Sequence, residues 1–303
     1  MLISENIHFV LNPVSGTGDL PLDVILEVIK SIDCATTIHI TSVEHGAEAC
    51  TQDAIHAGAD LIVAYGGDGT LMEVANTIHP HTIPMAILPG GTANVIAHEL
   101  NIPQNTQQAL DLIFNDDNQI KSIDAGKIGE QYFLLRVSMG WEAELSLRPT
   151  VEEKSTWRTL AYTHAALQAI QDLELVTYHI VLDDDTEEYV TGINCSICNI
   201  GNVGLYGVKI GIDVVPDDGL LNVFILENKN IQAVLDITQN LLASSLPFNM
   251  EERLVHYKAK KIIVSPDYPQ RMSYDGELYE NPFPISVECV PNYISILTPK
   301  ITQ

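Results

Sequence analysis

The stretch Ala64-Tyr65-Gly66-Gly67-Asp68-Gly69-Thr70-Leu71-Met72-Glu73 decides how the first part of this chain folds. An apolar run, Leu61 to Ala64, enters a turn with three glycines, and apolar residues then recur at helical spacing through Ile78. The pattern predicts a strand, a tight loop and a helix with Thr70 as its N-cap. Glycines let backbone N–H groups approach an anion, and a helix N-terminus adds partial positive charge. The loop is therefore a candidate phosphate site.

Two more glycine turns follow the same rhythm. Asn12-Pro13-Val14-Ser15-Gly16 closes the first apolar strand, and Pro89-Gly90-Gly91-Thr92-Ala93-Asn94 closes a later one. Loops at the carboxyl ends of parallel strands line one crevice, so we expect the three loops to converge. The first 120 residues contain a single lysine, Lys30, and no arginine. Phosphate binding in this half must therefore depend on backbone amides, hydroxyls and metal.

Acidic residues supply the candidate metal and base groups. Asp68 lies inside the glycine loop, where a carboxylate repels phosphate unless a divalent cation lies between them, so we expect it to hold Mg²⁺ directly or through water. Asp124 follows a strand pattern and is either a second acidic partner of that ion or a polar strand end. Asp275-Gly276-Glu277 is typical of a hairpin turn, and its two carboxylates could also serve a metal–water network and take a proton from an acceptor alcohol.

At this order and spacing, NPVSG, GGDGTLMEV and LPGGTANVIAHEL resemble the diacylglycerol kinase catalytic family, which includes bacterial lipid kinases and sphingosine kinases. The resemblance continues through Ile123–Gly126, Val215–Leu221 and Tyr274–Glu277, and so spans nearly the whole chain. GGDGT alone is shared with NAD kinases and, loosely, with phosphofructokinases. Together with PGGTAN, PDDGLL and a late DGE it is much more specific.

The resemblance implies an ATP-dependent kinase that phosphorylates, with Mg²⁺, the hydroxyl of a lipid such as diacylglycerol or a long-chain base. It implies that Glu277 is the general base and Asp275 its acidic neighbour. For a hydroxyl after the second strand, Ser42 has the family's spacing to Gly46 and Thr41 keeps its residue type, so both stay candidates. The residues expected to contact or shape the nucleotide site are Asn12, Ser15, Thr41, Ser42, Gly66, Gly67, Asp68, Gly69, Thr70, Leu71, Met72, Gly91, Thr92 and Asn94.

The resemblance also implies a structural Mg²⁺ away from the nucleotide, held by the Asp218 carboxylate and the backbone carbonyls of Val215 and Leu220. Oxygen-only ligation suits Mg²⁺ or Ca²⁺. Without the resemblance, Pro-Asp-Asp-Gly is simply a good turn.

One departure concerns the segment after the third loop. Many bacterial relatives have an acid and an arginine where this chain has Val95 and His98, which affects acceptor specificity more than ATP binding.

The sequence predicts two domains of different class. Strand and helix patterns alternate up to residue 122, which predicts an open, mainly parallel α/β domain over residues 1–122. The resemblance implies that this domain is of the NAD kinase/phosphofructokinase-like type. Short β patterns, among them Tyr132–Val137, Tyr189–Ile200 and Leu221–Leu226, then predict an antiparallel β-sandwich over 123–290. Amphipathic helices at Trp157–Asp172 and Ile231–Leu242 interrupt it, and the resemblance implies that it is the lipid-substrate domain. The resemblance implies that residues 291–303 return to the first domain.

Composition limits the partners and the compartment. A net charge of −25 argues against nucleic acid and against simple attraction to anionic membranes. The sequence shows no bilayer-spanning apolar run and no charged signal-peptide start, and its five scattered cysteines predict buried thiols. We therefore expect a cytoplasmic protein with transient peripheral contact at the inner membrane face. A homodimer is left open.

Two other functions fit parts of the sequence. An NAD kinase-like phosphotransferase fits GGDGT, but no Asn-Glu helix-start motif follows that would bind the NAD ribose. A nucleotide-binding regulatory module without turnover fits the altered residues after PGGT, whereas the intact DGE and PDDG motifs disfavour it.

Overall fold

The computed structural model describes residues 4–16, 20–115, 117–140, 143, 175–201, 214–227, 254–280 and 282–300. The chain divides into two compact units. Unit 1 comprises Met1–Asp124 and Pro291–Gln303, and unit 2 comprises Ala125–Val290. The amphipathic helices predicted at Trp157–Asp172 and Ile231–Leu242 lie outside the described residues.

Unit 1 contains a parallel sheet with helices between its strands. Its strands are β1 (Asn6–Leu11), β2 (Ala35–Ile40), β3 (Leu61–Gly66) and β4 (Met85–Pro89), in the spatial order β2-β1-β3-β4. Its helices are α1 (Leu22–Ser31), α2 (Ala47–His56), α3 (Asp68–Ile78), α4 (Val95–Glu99) and α5 (Thr106–Phe114). All residues of β3 and β4 are buried, as expected for parallel strands that are covered on both faces. This α/β class is the one predicted from the sequence.

The glycine loops follow β1, β3 and β4 directly, so all three lie at the carboxyl edge of one sheet. One local prediction is wrong. Gly67, not Thr70, is the N-cap of α3, because Gly67 is extended and Asp68 already has helical geometry. Thr70 therefore lies in the first turn of the helix, where its side chain is buried.

Unit 2 is an antiparallel sandwich. Its strands are β6 (Gln131–Phe133), β7 (Arg136–Gly140), β8 (Val176–Leu182), β9 (Thr186–Gly192), β10 (Asn194–Cys198), β11 (Leu221–Leu226), β12 (Leu254–Ala259), β13 (Lys261–Pro266), β14 (Met272–Tyr274) and β15 (Glu277–Tyr279). β5 (Asn118–Ile128) and β16 (Ile285–Pro299) belong to both units. One sheet has the order β12-β11-β10-β7-β14-β15. Its inner face shares a core with β8 and β13 that includes Met139, Val223, Tyr178 and Ile262. The predicted sandwich is confirmed.

Two strands predicted as continuous are broken in the structure. The predicted strand Tyr132–Val137 is divided between β6 and β7, because backbone amides at the break donate to the Asp275 carboxylate. The predicted strand Tyr189–Ile200 is divided between β9, which pairs with β8, and β10, which pairs with β11. At this break the amide of Ile193 donates to the carbonyl of Leu226. Both breaks depend on contacts that are distant in sequence.

The cysteines are free thiols, and the prediction that they are buried holds for Cys50, Cys195 and Cys198, whereas Cys34 and Cys289 are half-buried. Cys195 lies in the core of unit 2, whereas Cys198 packs with Val214 and Phe224 on the other side of its strand. The described residues contain no group of three or more His, Cys, Asp or Glu side chains that could hold a metal ion. Within the same part of the chain, no helix is both long and apolar enough to span a bilayer.

Candidate functional site

The three glycine loops of unit 1 contact one another. The amide of Asn12 donates to the carbonyl of Tyr65 at 3.0 Å, and its side-chain amide donates to the Thr70 hydroxyl at 2.8 Å. The amide of Gly90 donates to the carbonyl of Gly66 at 2.9 Å. The loops after β1, β3 and β4 therefore form one continuous main-chain surface.

Two glycines are required by close packing of backbone against backbone. Gly16 has φ +61, and a Cβ there would collide with the carbonyl oxygen of Gly90. A Cβ on Gly91 would lie 2.5 Å from the Cα of Gly67. Because side chains are absent at these crossings, main-chain amides form the surface that a ligand meets.

Asp68 joins the second loop to the third. Its two carboxylate oxygens accept the amides of Val95 and Ile96, each at 3.0 Å, at the start of α4. Asn94, which has φ +46, completes the third loop because its side-chain oxygen accepts the amide of Gly91 at 2.8 Å. Asp68 thus has a structural role that the sequence did not indicate, since it fixes one loop against the next.

The first turn of α3 offers amides to an anion. The N–H groups of the first helical residues have no carbonyl acceptor within the helix, which makes Asp68, Gly69 and Thr70 the donors at this end. The amide of Leu71 already donates to Gly67, and the side chains of Leu71 and Met72 are buried. The buried side chains of these two residues therefore support the first turn of α3. The polarity of this cradle of main-chain amides suits an anionic group such as a polyphosphate.

The hydroxyl residues after β1 and β2 lie beside the first loop. The amide of Thr41 donates to the carbonyl of Leu11 at 2.9 Å, immediately before Asn12. The hydroxyl of Ser42 accepts the amide of His45 at 3.1 Å and so closes a local turn. Ser15 donates its amide to the Asn12 carbonyl, and Thr92 is exposed. The choice between Thr41 and Ser42 as a nucleotide contact stays a prediction.

The carboxylates predicted to hold the catalytic Mg²⁺ are both hydrogen-bonded. Each Asp68 oxygen accepts one amide and keeps a further lone pair, which suits contact with the water shell of Mg²⁺. Asp124 is buried, and one of its oxygens accepts the amide of Asn292 at 2.8 Å. The role of Asp68 and Asp124 as ligands of one magnesium ion stays a prediction.

At the predicted structural metal site in unit 2, the carboxylate of Asp218 pairs with the ammonium group of a lysine. One oxygen of Asp218 accepts the amide of Leu220 at 3.0 Å, and the other lies 3.4 Å from the ammonium nitrogen of Lys258. The carboxylate is therefore neutralised by a side chain of the same unit. The assignment of Val215, Asp218 and Leu220 to a structural Mg²⁺ stays a prediction.

The two carboxylates of the DGE turn differ in their surroundings. Backbone amides of Leu134, Leu135 and Arg136 donate to the Asp275 carboxylate at 2.9–3.3 Å. Burial raises the pKa of Asp275 to about 7, although these amides and the Arg136 charge act in the opposite direction. Glu277 is exposed, and one of its oxygens accepts the hydroxyl of Tyr274 at 3.1 Å. Asp275 thus anchors the turn, and Glu277 is its solvent-exposed carboxylate.

Sequence models of two domain families match this chain. The diacylglycerol kinase catalytic domain matches residues 6–128, and the YegS C-terminal NAD kinase beta sandwich-like domain matches residues 136–298. The second match covers more than half of the chain, which therefore belongs to the YegS C-terminal domain family and also carries the diacylglycerol kinase catalytic domain in its first part. The first match contains all three glycine loops, and the second contains the DGE hairpin.

Individual relatives agree with this membership. The chain is 29% identical over 311 residues to an uncharacterized protein of Synechocystis, covering 96% of this chain and 70% of that protein. It is 29% identical over 243 residues to a protein of Staphylococcus aureus named "putative lipid kinase", covering 79% of this chain and 77% of that protein.

Solved structures show the same fold. A structure from Bacillus anthracis, described as a "putative diacylglycerol kinase", has a TM-score of 0.79 and 27% identity, covering 98% of this chain and 96% of that chain. An NAD kinase from Archaeoglobus fulgidus, in complex with ATP, has a TM-score of 0.53 and 14% identity, covering 98% of this chain and 94% of that chain. This likeness shows a shared fold alone.

Sequence reasoning missed two aromatic residues at these sites. A Cβ on Gly90 would lie only 2.7 Å from the ring of Tyr65. The ring therefore packs directly on Gly90 and joins the third loop to the second. Tyr274 donates its hydroxyl to Glu277. Each directly precedes a motif, GGDGT or DGE, and that position was the only available signal. Val95 is buried, and its amide donates to the Asp68 carboxylate.

Proposed function

We propose that this protein transfers the γ-phosphoryl group of ATP to the hydroxyl of a lipid, such as diacylglycerol or a long-chain base. The observation that carries the proposal is the cradle of unit 1, in which three glycine loops and the start of α3 present main-chain amides to an anion. The match of residues 6–128 to the diacylglycerol kinase catalytic domain and a relative named as a lipid kinase support the acceptor class.

Each group has a part in the proposed reaction. The loop amides bind and orient the phosphates, and Asp68 holds the second and third loops in register. Asp68 and Asp124 are the carboxylates that would hold Mg²⁺, which when bound neutralises phosphate charge. Glu277 accepts the proton of the acceptor hydroxyl, because it is the exposed carboxylate of the DGE turn. With a net charge of −25, we expect contact with a membrane to be transient and peripheral.

The test is phosphoryl transfer from labelled ATP by the purified full-length protein. Mixed micelles that contain diacylglycerol or sphingosine are compared with soluble acceptors that include NAD and glycerol, each with Mg²⁺ or with EDTA. We expect labelled lipid in the Mg²⁺ samples alone. Labelling of NAD and of no lipid would replace this proposal with an NAD kinase-like one. ATP binding without transfer to any acceptor would favour a regulatory module.

Glu277→Gln tests the base, with Glu280→Gln as its matched control. Glu280 is an exposed glutamate just after the same hairpin, and it has no proposed role. We expect Glu277→Gln to lower kcat by about 10²–10⁴-fold, the usual contribution of a general base, and Glu280→Gln to leave it unchanged. Full activity of Glu277→Gln would remove Glu277 from the mechanism.

A further inference from the structure

The tip of the DGE hairpin has a geometry that fixes the direction of two side chains. Tyr274, the last residue of β14, pairs with Glu277, the first residue of β15. The two turn residues between them, Asp275 and Gly276, have φ values of +45 and +90, which is typical of a tight two-residue hairpin turn. Residues directly opposite in an antiparallel pair point to the same face. Tyr274 and Glu277 are therefore neighbours on one face of the hairpin.

The turn itself is attached to the rest of unit 2. The Asp275 carboxylate accepts three backbone amides at the break between β6 and β7, and the Asp275 amide donates to the Arg136 carbonyl at 3.0 Å. The main chain at Glu277 is thus held in place. This anchoring leaves the Glu277 side chain unrestrained, because a glutamate on the surface samples several rotamers.

Tyr274 supplies the missing restraint. Its hydroxyl donates to Oε2 of Glu277 at 3.1 Å. Its ring is held in turn, because it packs against the core of unit 2 and meets the ring of Tyr279 edge-on, with centroids 5.9 Å apart. Burial raises the pKa of Tyr274, and the charges of Glu277, Asp275 and Tyr279 act in the same direction. The phenol therefore keeps its proton and remains a donor.

We infer that Tyr274 is a positioning residue, whose hydroxyl holds Oε2 of Glu277 so that Oε1 is directed to the acceptor hydroxyl. The inference rests on the proposed function. In that reaction the O–H bond of the acceptor breaks and its proton passes to Glu277. The acceptor oxygen forms a bond to the γ-phosphorus, and the bond from that phosphorus to the leaving ADP oxygen breaks. Tyr274 neither gains nor loses a proton, and its contribution is orientation.

The experiment compares Tyr274→Phe with wild type in the lipid kinase assay. The substitution keeps the ring and its packing and removes one oxygen atom. We expect kcat to fall about tenfold, equivalent to about 1.4 kcal/mol, with KM for ATP and for the lipid within about twofold of wild type. Tyr279→Phe is the matched control, because within the described residues its hydroxyl makes no hydrogen bond to Glu277, and it should keep the wild-type kcat.

A double variant separates positioning from general damage to the hairpin. Combined with Glu277→Gln, Tyr274→Phe should cause no further loss, because the carboxylate that it holds is already gone. An unchanged kcat in Tyr274→Phe, an equal tenfold loss in both backgrounds, or a loss expressed in KM alone would each overturn the inference while the lipid kinase assignment stands. Absence of transfer by the wild-type protein would overturn the proposed function and this inference with it.

Discussion

Asp275→Asn tests whether burial of the Asp275 carboxylate in the DGE turn lowers the free energy of unfolding. The substitution is conservative, since asparagine tolerates the φ of +45 at this position and retains one acceptor oxygen. Burial raises the pKa of Asp275 from 3.8 to about 7 in the folded protein. A carboxyl group with a raised folded pKa contributes stability that is complete below the unfolded pKa and is lost as pH rises through about 7.

The magnitude follows from this difference in pKa. Each pKa unit corresponds to about 1.4 kcal/mol, and for a fully enclosed group the linkage integral between about pH 5 and about pH 9 is roughly 3 kcal/mol. Asp275 lies in a turn that is partly exposed, so solvent screening reduces the expected value to about 1–2 kcal/mol. The free energy of unfolding of wild type should fall by this amount relative to Asp275→Asn.

Urea unfolding followed by tryptophan fluorescence is the assay, because the chain's two tryptophans, at 141 and 157, fall within unit 2. Asp183→Asn is the matched control, since Asp183 is an exposed turn residue with φ +51 whose carboxylate also accepts two backbone amides, those of Lys260 and Lys261. Parallel pH profiles for wild type and Asp275→Asn would refute the reasoning. So would a wild type that gains stability with pH relative to the variant, because the three amides would then outweigh burial.

Three further predictions concern the cradle and the core. Gly16→Ala should weaken ATP binding about tenfold or more in calorimetry, because its Cβ meets Gly90, whereas Gly58→Ala, at a similar φ of +77 with an ordinary contact, should bind normally. Asp68→Asn should lower the stability of unit 1 by about 1–2 kcal/mol in EDTA, and an unchanged melting curve there would limit Asp68 to a metal-dependent role. Tyr178→Phe should stabilise unit 2 by about 1 kcal/mol in urea titrations, since the buried hydroxyl finds no partner within the described residues, and a loss of stability would show that a partner exists.

The elements that sequence predicted well are those whose signal is local. β11 was predicted at Leu221–Leu226, its observed bounds, because five of its six residues are apolar and a turn precedes them. The rhythm of apolar strand and glycine loop likewise predicted the carboxyl-edge loops of unit 1. Glycine at a backbone crossing leaves a visible mark in sequence, since few other residues permit it.

The features that sequence reasoning missed depend on distant partners. The break before β7 arises from a carboxylate 139 residues later in the chain, and no pattern around Arg136 indicates it. β12, at Leu254–Ala259, was not predicted, although Val255, Tyr257 and Ala259 alternate with polar residues and pack on the core of unit 2. The hydrogen bonds from the amides of α4 to the Asp68 carboxylate were missed because they too join segments that are distant in sequence. A carboxylate in a glycine loop suggests a ligand, and only the fold reveals that two amides face it.

The cradle in unit 1 consists almost entirely of peptide groups, and this determines which mutagenesis strategy can detect it. Alanine scanning shortens side chains and leaves peptide N–H groups in place, so a scan of these loops would report few important positions. Substitutions that add atoms at Gly16 or Gly91 reveal the same surface at once, because a single methyl group there occupies space already filled by another stretch of main chain. The tolerance of such a site to sequence change is correspondingly uneven, wide where side chains point away and almost absent at the crossings.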